Sequence, residues 1–402
     1  MIYLDNAATT PLSPKVLEAM MPYLKDEYGN AGAIYGLGRR AADAVAKARK
    51  QVADFIGASP EQIIFTSGGT EANNLAILGC KDYLERIGKK HIITTPTEHD
   101  SVLRAVDALC KPLRHNDGRC IKPEFYTSYL HTNRYGYISM IELESLLQYH
   151  NDIGLVSAMY VNNEIGTVNP IRATGALCRK NCTLFFTDCV QAAGSVVLNV
   201  EELGCDFMSI SSHKIHGPKG AGALFVRDKQ YLSPIINGGL TQEFGLRGGT
   251  ESVASIVGFG KACELATKGI MEYNRTVLCY KKLFYKILTD GLVDNNLVND
   301  IKINGVPPEH NGKVLSLTIK GVDAETLVLM MDSKGVCISA GSACTSHESK
   351  PSHVLKAIGL SDDDARSTIR ISFSEFNTVH EVEEAAKILA QCVRNLRGML
   401  DG

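Results

Sequence analysis

Residues Ser209 to Gly220 read SISSHKIHGPKG, a polar stretch that begins inside the apolar run Phe207 to Ser211 and is followed by a second run, Gly222 to Val226. Upstream, short apolar runs alternate with helical patterns, at Ile63 to Thr66, His91 to Thr94, Leu155 to Val161 and Leu184 to Thr187. Such alternation requires crossover connections, because parallel strands cannot be joined by tight turns. The sequence therefore predicts an α/β fold with a largely parallel sheet covered on both faces.

The pattern changes after about Ser255. A long helical pattern runs from Ile256 to Asp290, and two short strand patterns follow at Val314 to Ile319 and Ile369 to Phe373, before a closing helix from about Thr378. This order is typical of a smaller α+β domain. The Gly-rich stretch NGGLTQEFGLRGGTES, which lies between the two parts, fits either a linker or a ligand-binding loop.

Composition excludes several classes of protein. The 402 residues are 45% hydrophobic and 21% charged, which are globular proportions, and the formal net charge is -2. No overall field attracts the chain to nucleic acid or anionic lipid. No apolar run reaches the roughly 18 residues that a membrane-spanning helix needs, and residues 1–10 lack the features of a signal peptide. We therefore expect a cytoplasmic protein that binds neither membranes nor nucleic acid directly.

The 12 cysteines contain no C-x-x-C pair, so we expect mostly free thiols. Two short pairings that resemble metal motifs, His213 with His216 and Cys178 with Cys182, do not add up to four ligands at the usual spacings. The sequence therefore predicts no metal site.

Polar residues follow the predicted strands where open α/β sheets bind ligands. Lys214 follows a buried strand among small residues, so its amine is either solvated, as most lysines are, or confined with a lowered pKa and able to form a Schiff base. Asp188 ends the run LFFT, where a buried carboxylate needs a partner such as a pyridinium nitrogen. The alternative for Asp188 is a helix N-cap.

Residues Ser67 to Ile77 read SGGTEANNLAI and place Gly69 and Thr70 at a predicted helix start, which suits a phosphate. The alternative is an ordinary turn before a capped helix. His99 is a candidate for stacking on an aromatic ring or moving protons, and otherwise is structural. Asn163 and Gln191 offer neutral hydrogen bonds for a ring hydroxyl.

Cys344 lies in the polar segment ISAGSACTSHESKPS, which favours an exposed, reactive thiol over core packing; the alternative is an ordinary surface thiol. Arg370, within IRISF, is a cation among strand-forming residues and needs a carboxylate partner, from either the protein or a substrate.

Taken in order along nearly the whole chain, these segments resemble the cysteine desulfurases of the class V aminotransferase family. The matching segments are YLDNAATTP, FTSGGTEANN, TEH, VNNEIG, Asp188 to Gln191, SSHKIHGPKG, RGGTES, SAGSACTS and RISF. One such motif is weak evidence, whereas this ordered series is highly specific. The segment around Cys344 resembles the long-loop type of the family.

The resemblance implies a fold-type I pyridoxal phosphate enzyme with a seven-stranded, mostly parallel sheet. It implies a large domain at residues 14–257, and a small domain formed by residues 1–13 and 258–402 that carries the catalytic cysteine on a mobile loop at about 339–352. It also implies roles for site residues: catalysis by Lys214, Cys344 and His99; cofactor binding by Gly69, Thr70, His99, Asn163, Asp188, Gln191, Ser211, His213, Lys214 and Thr250; substrate binding by Arg370 and Asn163.

The implied reaction converts L-cysteine to L-alanine and leaves the sulfur on Cys344 as a persulfide, for delivery to acceptor proteins. Thr250 reaches the partner's site in the family, which implies a homodimer. The acceptor pathway stays open between iron–sulfur cluster assembly and thio-modification of tRNA or DNA. The alternatives are a selenocysteine lyase and an idle sulfur-relay or scaffold subunit. Residues 113–135 form a region longer than is typical of the family, to which the sequence assigns no role.

Overall fold

The computed structural model describes the chain except for residues 112, 115–119, 122–123, 294–296, 306–311, 342–350 and 401–402. The described strands are β1 (Ile2–Tyr3), β2 (Ile63–Thr66), β3 (His91–Thr94), β4 (Leu113–Arg114), β5 (Cys120–Ile121), β6 (Tyr126–Tyr129), β7 (Ile153–Ser157), β8 (Leu184–Asp188), β9 (Phe207–Ser211), β10 (Gly222–Val226), β11 (Ile301–Asn304), β12 (Val314–Ile319), β13 (Val336–Cys337), β14 (Ser339–Ala340) and β15 (Thr368–Ser372).

The described helices are α1 (Pro14–Lys25), α2 (Gly36–Ile56), α3 (Gly69–Gly79), α4 (Lys81–Arg86), α5 (Asp100–Leu109), α6 (Met140–Tyr149), α7 (Ile171–Lys180), α8 (Val200–Leu203), α9 (Val253–Asp290), α10 (Ala324–Ser333), α11 (His353–Ala357), α12 (Asp362–Arg366) and α13 (Val379–Leu400). None of these helices combines the length and the apolarity needed to cross a lipid bilayer.

A seven-stranded sheet forms the centre of the large domain, in the order β2, β10, β9, β8, β7, β3, β6. The pairs along β9, β8, β7, β3 and β6 are parallel, whereas β10 runs antiparallel to β2 and β9. The predicted α/β fold with a mostly parallel sheet is therefore confirmed. The strand at the end of the sheet, β6, matches none of the apolar runs in the sequence, because its residues are exposed or half-buried.

A four-stranded antiparallel sheet, in the order β11, β12, β15, β14, forms the smaller unit. The predicted strands and the two long helices, α9 and α13, occur where the sequence indicates them. The chain's first strand, β1, pairs with β13, and Ile2 and Leu4 pack in the same apolar core as residues of α9, α10 and α13. The N-terminus is thereby joined to the smaller unit, while the predicted domain boundaries stay a prediction.

The side chains of ten of the 12 cysteines are described, and all ten are free thiols. Most of them are buried among apolar side chains, where burial raises the pKa of the thiol, as at Cys80 and Cys205, both to about 12. These cysteines are core residues that stay protonated at neutral pH.

Candidate active site

A cavity of about 310 Å³ opens at the carboxyl ends of the parallel strands and is within the size range of small-molecule sites. It is lined by residues that follow β2, β3, β7, β8 and β9, and by one residue of the small-domain sheet. Ten of the residues singled out in the sequence lie in its wall: Gly69, Thr70, His99, Asn163, Asp188, Gln191, Ser211, His213, Lys214 and Arg370. Distant segments of the chain thus converge on one site.

Lys214 is held by the N-terminal segment of the chain. Its Nζ donates hydrogen bonds to the carbonyl oxygens of Ala7, at 2.6 Å, and Ala8, at 2.8 Å. This segment is fixed in turn because Thr10 Oγ1 donates to the His213 carbonyl oxygen and accepts from the His216 backbone N–H, both at 2.9 Å. The lysine amine is therefore confined in the cavity wall, as the functional interpretation predicts.

A chain of hydrogen bonds connects Asp188 to His99. Asn73 Nδ2 donates both to Asp188 Oδ2, at 2.9 Å, and to Ser101 Oγ, at 2.8 Å. Ser101 Oγ lies 2.7 Å from His99 Nδ1, which also accepts the Ser101 backbone N–H at 3.1 Å. Since Nδ1 accepts that bond, the neutral ring carries its proton on Nε2. Asp188 and His99 are therefore oriented by one network.

The alternative predicted for Asp188, a helix N-cap, is partly realised. Asp188 Oδ1 accepts the backbone N–H of Val190 at 2.9 Å, but residues 190–195 form turns rather than a helix. His99, in contrast, is the N-cap of α5 through its Nδ1. His99 therefore has a structural role in addition to its position in the cavity wall.

Glu98 is a buried carboxyl group that the sequence did not single out. Its Oε1 accepts the Met159 backbone N–H at 2.6 Å and the Thr95 hydroxyl at 3.2 Å, and its Oε2 has no partner within the described residues. Burial, followed by the negative charge of Asp188, raises the pKa of Glu98 to about 8. At neutral pH Glu98 is therefore mostly protonated.

We expect the Glu98→Gln variant to lose part of the pH dependence of unfolding. The raised pKa means that Glu98 stabilises the fold fully below its unfolded pKa of about 4.5 and loses this contribution as pH rises through about 8. Between pH 5 and 8 the free energy of unfolding of the wild type should therefore fall, relative to the variant, by on the order of 3 kcal/mol.

Urea unfolding at a series of pH values, followed by circular dichroism, measures this difference. Gln keeps an acceptor for Met159 and Thr95, so the variant should fold. Glu325→Gln, at an exposed position on α10, is the matched control and should follow the wild-type curve. Parallel curves for the wild type and Glu98→Gln would contradict a protonated Glu98.

The start of α3 and the end of β9 form a narrow polar corner of the cavity. Gly69 has no room for a side chain, because a Cβ there would lie 2.7 Å from Val190 Cγ2. The first N–H groups of a helix lack partners within the helix, and the helix dipole favours an anion at this end. Ser211 Oγ is buried and has no partner within the described residues. The corner is therefore suited to a phosphate group.

His213 also lines the cavity, and its Nδ1 lies 3.1 Å from Thr9 Oγ1. Burial, and then the charges of Lys214, Lys313 and Lys219, lower the pKa of His213 to about 4. His213 is therefore neutral at physiological pH and can only donate or accept a hydrogen bond there, without adding charge.

Arg370 on β15 is 2% exposed, and it lines the cavity from the small-domain sheet. Its Nη2 lies 2.8 Å from Asp5 Oδ1, and its Nη1 donates to the Asn163 carbonyl oxygen at 3.0 Å. The protein carboxylate predicted as one alternative is therefore present. Arg370 Nε is nevertheless buried without a partner in the described part of the chain, so donor capacity remains for a ligand carboxylate.

Lys313, which directly precedes β12, is a buried lysine beside the site. It is 4% exposed, and its Nζ lies 3.4 Å from the Lys214 carbonyl oxygen. Burial, and then the charges of Lys214 and Arg370, lower its pKa to about 7. A second amine, partly neutral at physiological pH, therefore lies behind Lys214, and no motif in the sequence indicates it.

Thr250 is exposed and is not among the residues that line the cavity of its own chain. Arg247, three residues earlier in the chain, connects this loop to α3, because its Nε lies 2.8 Å from Glu71 Oε1. Burial opposes ionisation of Glu71, but the bonds from Arg247 and Ser67 outweigh it and lower the pKa of Glu71. The segment NGGLTQEFGLRGGTES is thus fixed against the large domain, and the predicted role of Thr250 stays a prediction.

Cys344 lies outside the described residues, as does most of the predicted loop at 339–352. The described residues on either side contact residues of the cavity wall or belong to it. Ser339 pairs with Arg370 in the small-domain sheet, and His353 lines the cavity with its Nε2 2.9 Å from the Glu98 carbonyl oxygen. Ser352 Oγ donates to Glu164, a further buried residue of the wall.

Several wall residues were not singled out from the sequence. They are Ala7, Ala8, Asn73, Glu98, Asp100, Ser101, Met159, Glu164, Val190 and His353. Six of them fall within the motifs that carry the resemblance, so their place in those motifs was an available signal: Ala7, Ala8, Asn73, Glu98, Glu164 and Val190. Lys313 and His353 are outside every motif.

Comparisons with known proteins identify the class. The family model for aminotransferase class-V matches residues 2–384, so the chain belongs to the class-V aminotransferase family. Within it, the cysteine desulfurase IscS of Methanosarcina thermophila is 39% identical over 399 residues, which cover 99% of this chain and 93% of that protein.

Two solved structures extend the comparison. A NifS-like protein superposes with a TM-score of 0.83 at 33% identity, over 98% of this chain and 99% of the other. A structure described as SspA in complex with cysteine has a TM-score of 0.75 at 33% identity, over 94% of this chain and 100% of the other. These findings confirm the predicted fold class and the resemblance to cysteine desulfurases.

Proposed function

We propose that this protein is a pyridoxal phosphate-dependent cysteine desulfurase that converts L-cysteine to L-alanine and takes the sulfur onto Cys344. The observation that carries the proposal is the convergence of Lys214, Asp188, His99 and Arg370 on one cavity at the carboxyl ends of the sheet. The relatives named above, at up to 39% identity over nearly the whole chain, support the same activity.

The polar atoms of the cavity fit pyridoxal phosphate. Asn163 Oδ1, Gln191 Oε1 and Ser211 Oγ are buried and have no partner among the described residues, although such atoms are normally hydrogen-bonded. A ligand that carries oxygen substituents on its ring and a phosphate group would form hydrogen bonds with these three atoms. Gly69, Thr70, Ser211 and His213 would hold the phosphate, Asn163 and Gln191 the ring substituents, and Asp188 the ring nitrogen.

When bound, pyridoxal phosphate supplies a ring that accepts electron density from the substrate Cα. Lys214 would anchor the cofactor covalently and then, with its amine released, remove the α-proton. Asp188, fixed by Asn73 and Val190, would hold the ring nitrogen. His99 would stack on the ring and move protons through Nε2.

Arg370 and Asn163 would bind the substrate carboxylate, and the buried Arg370 Nε supports this role. Cys344 as thiolate attacks the substrate sulfur, so that an S–S bond forms and the Cβ–S bond breaks. The electron pair of the broken bond passes to the substrate carbons, one proton taken up at Cβ and the α-proton returned to Cα complete alanine, and the enzyme keeps a persulfide.

We further propose a homodimer in which Thr250 reaches the partner's cofactor. The exposure of Thr250, and its absence from the residues that line its own cavity, support this role. The sulfur acceptors would be proteins of iron–sulfur cluster assembly or of tRNA or DNA thio-modification. A cytoplasmic location stays a prediction.

The direct test is anaerobic incubation of the purified, cofactor-loaded protein with L-cysteine. We expect alanine in the solution and one added sulfur on the protein, measured by amino-acid analysis and peptide mass mapping. Release of selenium from selenocysteine without any reaction of cysteine would indicate the selenocysteine lyase instead. Protein that neither takes up the cofactor nor forms alanine would be an idle scaffold.

We expect the His99→Asn variant to lower the rate of alanine formation about 10² to 10⁴-fold, the usual contribution of a positioned acid–base group. Asn keeps an acceptor for the Ser101 N–H and remains a good N-cap, so the stability of α5 should be retained. The His99→Ala variant also removes the N-cap, so it should in addition lower the free energy of unfolding by about 1 kcal/mol. Rapid-mixing kinetics and urea unfolding separate the two effects, and normal turnover by His99→Asn would rule out a chemical role.

A further inference from the structure

A second cluster of potential metal ligands lies at the amino ends of the parallel strands, whereas the cavity lies at their carboxyl ends. His91 is the first residue of β3, His150 directly follows α6, and Asp152 directly precedes β7. One ligand atom from each of the three lies within 4.8 Å of the others. The fold brings them together because β3 pairs with β7 and the His91 backbone N–H donates to the Asp152 carbonyl oxygen at 3.0 Å.

The ring of His91 has an unused nitrogen inside the protein. His91 is 1% exposed, its Nε2 lies 2.8 Å from Ser128 Oγ, and its Nδ1 has no hydrogen-bond partner within the described residues. Buried ring nitrogens normally have a hydrogen-bond partner, so the unpartnered Nδ1 of His91 is a candidate metal-binding atom. With the Nε2 proton donated to Ser128, Nδ1 carries a lone pair, which is the arrangement of a metal-binding histidine.

The other residues around the cluster have the arrangement that supports metal ligands. Tyr126 stacks on the His91 ring, with centroids 4.3 Å apart, and its hydroxyl donates to Asp152 Oδ2. Hydrogen bonds of this kind orient ligating histidines and carboxylates. Tyr126 and Ser128 both belong to β6, within the region at 113–135 to which the sequence assigned no role.

We propose that His91 Nδ1, His150 and Asp152 bind a divalent transition-metal ion of the Zn²⁺ type. Two imidazoles and one carboxylate are typical ligands of such an ion, whereas Mg²⁺ and Ca²⁺ prefer oxygen ligands alone. Bonds of about 2.0–2.2 Å in tetrahedral geometry place ligand atoms roughly 3.3 Å apart. The cluster must therefore contract on binding, and the exposed His150 ring is free of core packing that would oppose this.

The position of the site indicates a structural role. The cluster lies at the amino ends of β3 and β7, whereas the cavity lies beyond their carboxyl ends, roughly 13 Å away along the four residues of β3. An ion there would link the start of β3 to the connection between α6 and β7, beside the edge strand β6. The proposal is independent of the proposed enzymatic function.

Equilibrium dialysis against micromolar Zn²⁺ after chelator treatment tests the site, with bound zinc counted per chain. The informative variants are His150→Ala and Asp152→Asn, because His150 is exposed, Asp152 is only half-buried, and both variants leave the buried His91 in place. Every variant keeps all 12 thiols, so zinc bound by cysteine cancels in the comparison. His380→Ala, which removes an exposed histidine near Glu384 on α13, is the matched control.

We expect the wild type and His380→Ala to bind one more zinc ion per chain than His150→Ala or Asp152→Asn, and to show a zinc-dependent rise in Tm that these two lack. Tyr126→Phe, which removes only the hydroxyl on Asp152, should weaken zinc binding about 10 to 100-fold. Co²⁺ in place of Zn²⁺ should give a visible absorption band that the same two variants lose. Equal zinc content and equal Tm shifts in the wild type and both variants would overturn the proposal.

Discussion

The Lys214→Ala variant is expected to lose at least about 10³-fold in alanine formation from L-cysteine. The amine is placed by two backbone carbonyls, those of Ala7 and Ala8, and no other described lysine lines the cavity. Removing it takes away both the covalent anchor of the cofactor and the proposed base. Treatment of the cofactor-loaded wild type with borohydride, followed by peptide mass mapping, should find the cofactor on Lys214 and nowhere else.

Two further variants separate chemistry from folding. Lys214→Arg keeps a positive charge and hydrogen-bond donors for the Ala7 and Ala8 carbonyls, so it should fold like the wild type and remain inactive. Lys219→Ala changes an exposed lysine of the same motif and should keep wild-type activity. Alanine formation by Lys214→Arg at the wild-type rate would refute the assignment of Lys214.

The Cys344→Ala variant is expected to form no persulfide and to reduce alanine formation from cysteine below detection, because no thiolate remains to accept the substrate sulfur. The cofactor should still bind, since Lys214 and the phosphate corner are unchanged. Peptide mass mapping after anaerobic incubation with L-cysteine measures the sulfur, and amino-acid analysis measures the alanine.

Cys279→Ala is the matched control for this variant, because Cys279 is an exposed free thiol on α9. It should carry the extra sulfur on Cys344 at the wild-type level. The other described cysteines are poor acceptors where burial raises the thiol pKa, as it does at Cys178, Cys189 and Cys263. Persulfide and alanine formation that continue in Cys344→Ala would show that a different residue accepts the sulfur.

Much of the fold was predictable because the strands of a parallel sheet are buried on both faces. Such strands appear in the sequence as continuous apolar runs, and the polar residues after them mark the ligand-binding edge. Lys214, Asp188 and His99 were found in this way, and all three lie in the cavity wall. Strand β6 could not be found, because an edge strand with exposed residues has no apolar run.

The sequence by itself determined the family, the fold class and the identity of most wall residues, because these depend on short motifs of local character. Only the tertiary structure decided which distant groups meet. The Ala7 carbonyl that receives the Lys214 amine is 207 residues away in the chain, and Lys313 approaches from 99 residues away. The raised pKa of Glu98 and the meeting of His91, His150 and Asp152 likewise depend on burial and strand order. Burial and proximity between distant residues arise only when the chain packs, so no local pattern encodes them.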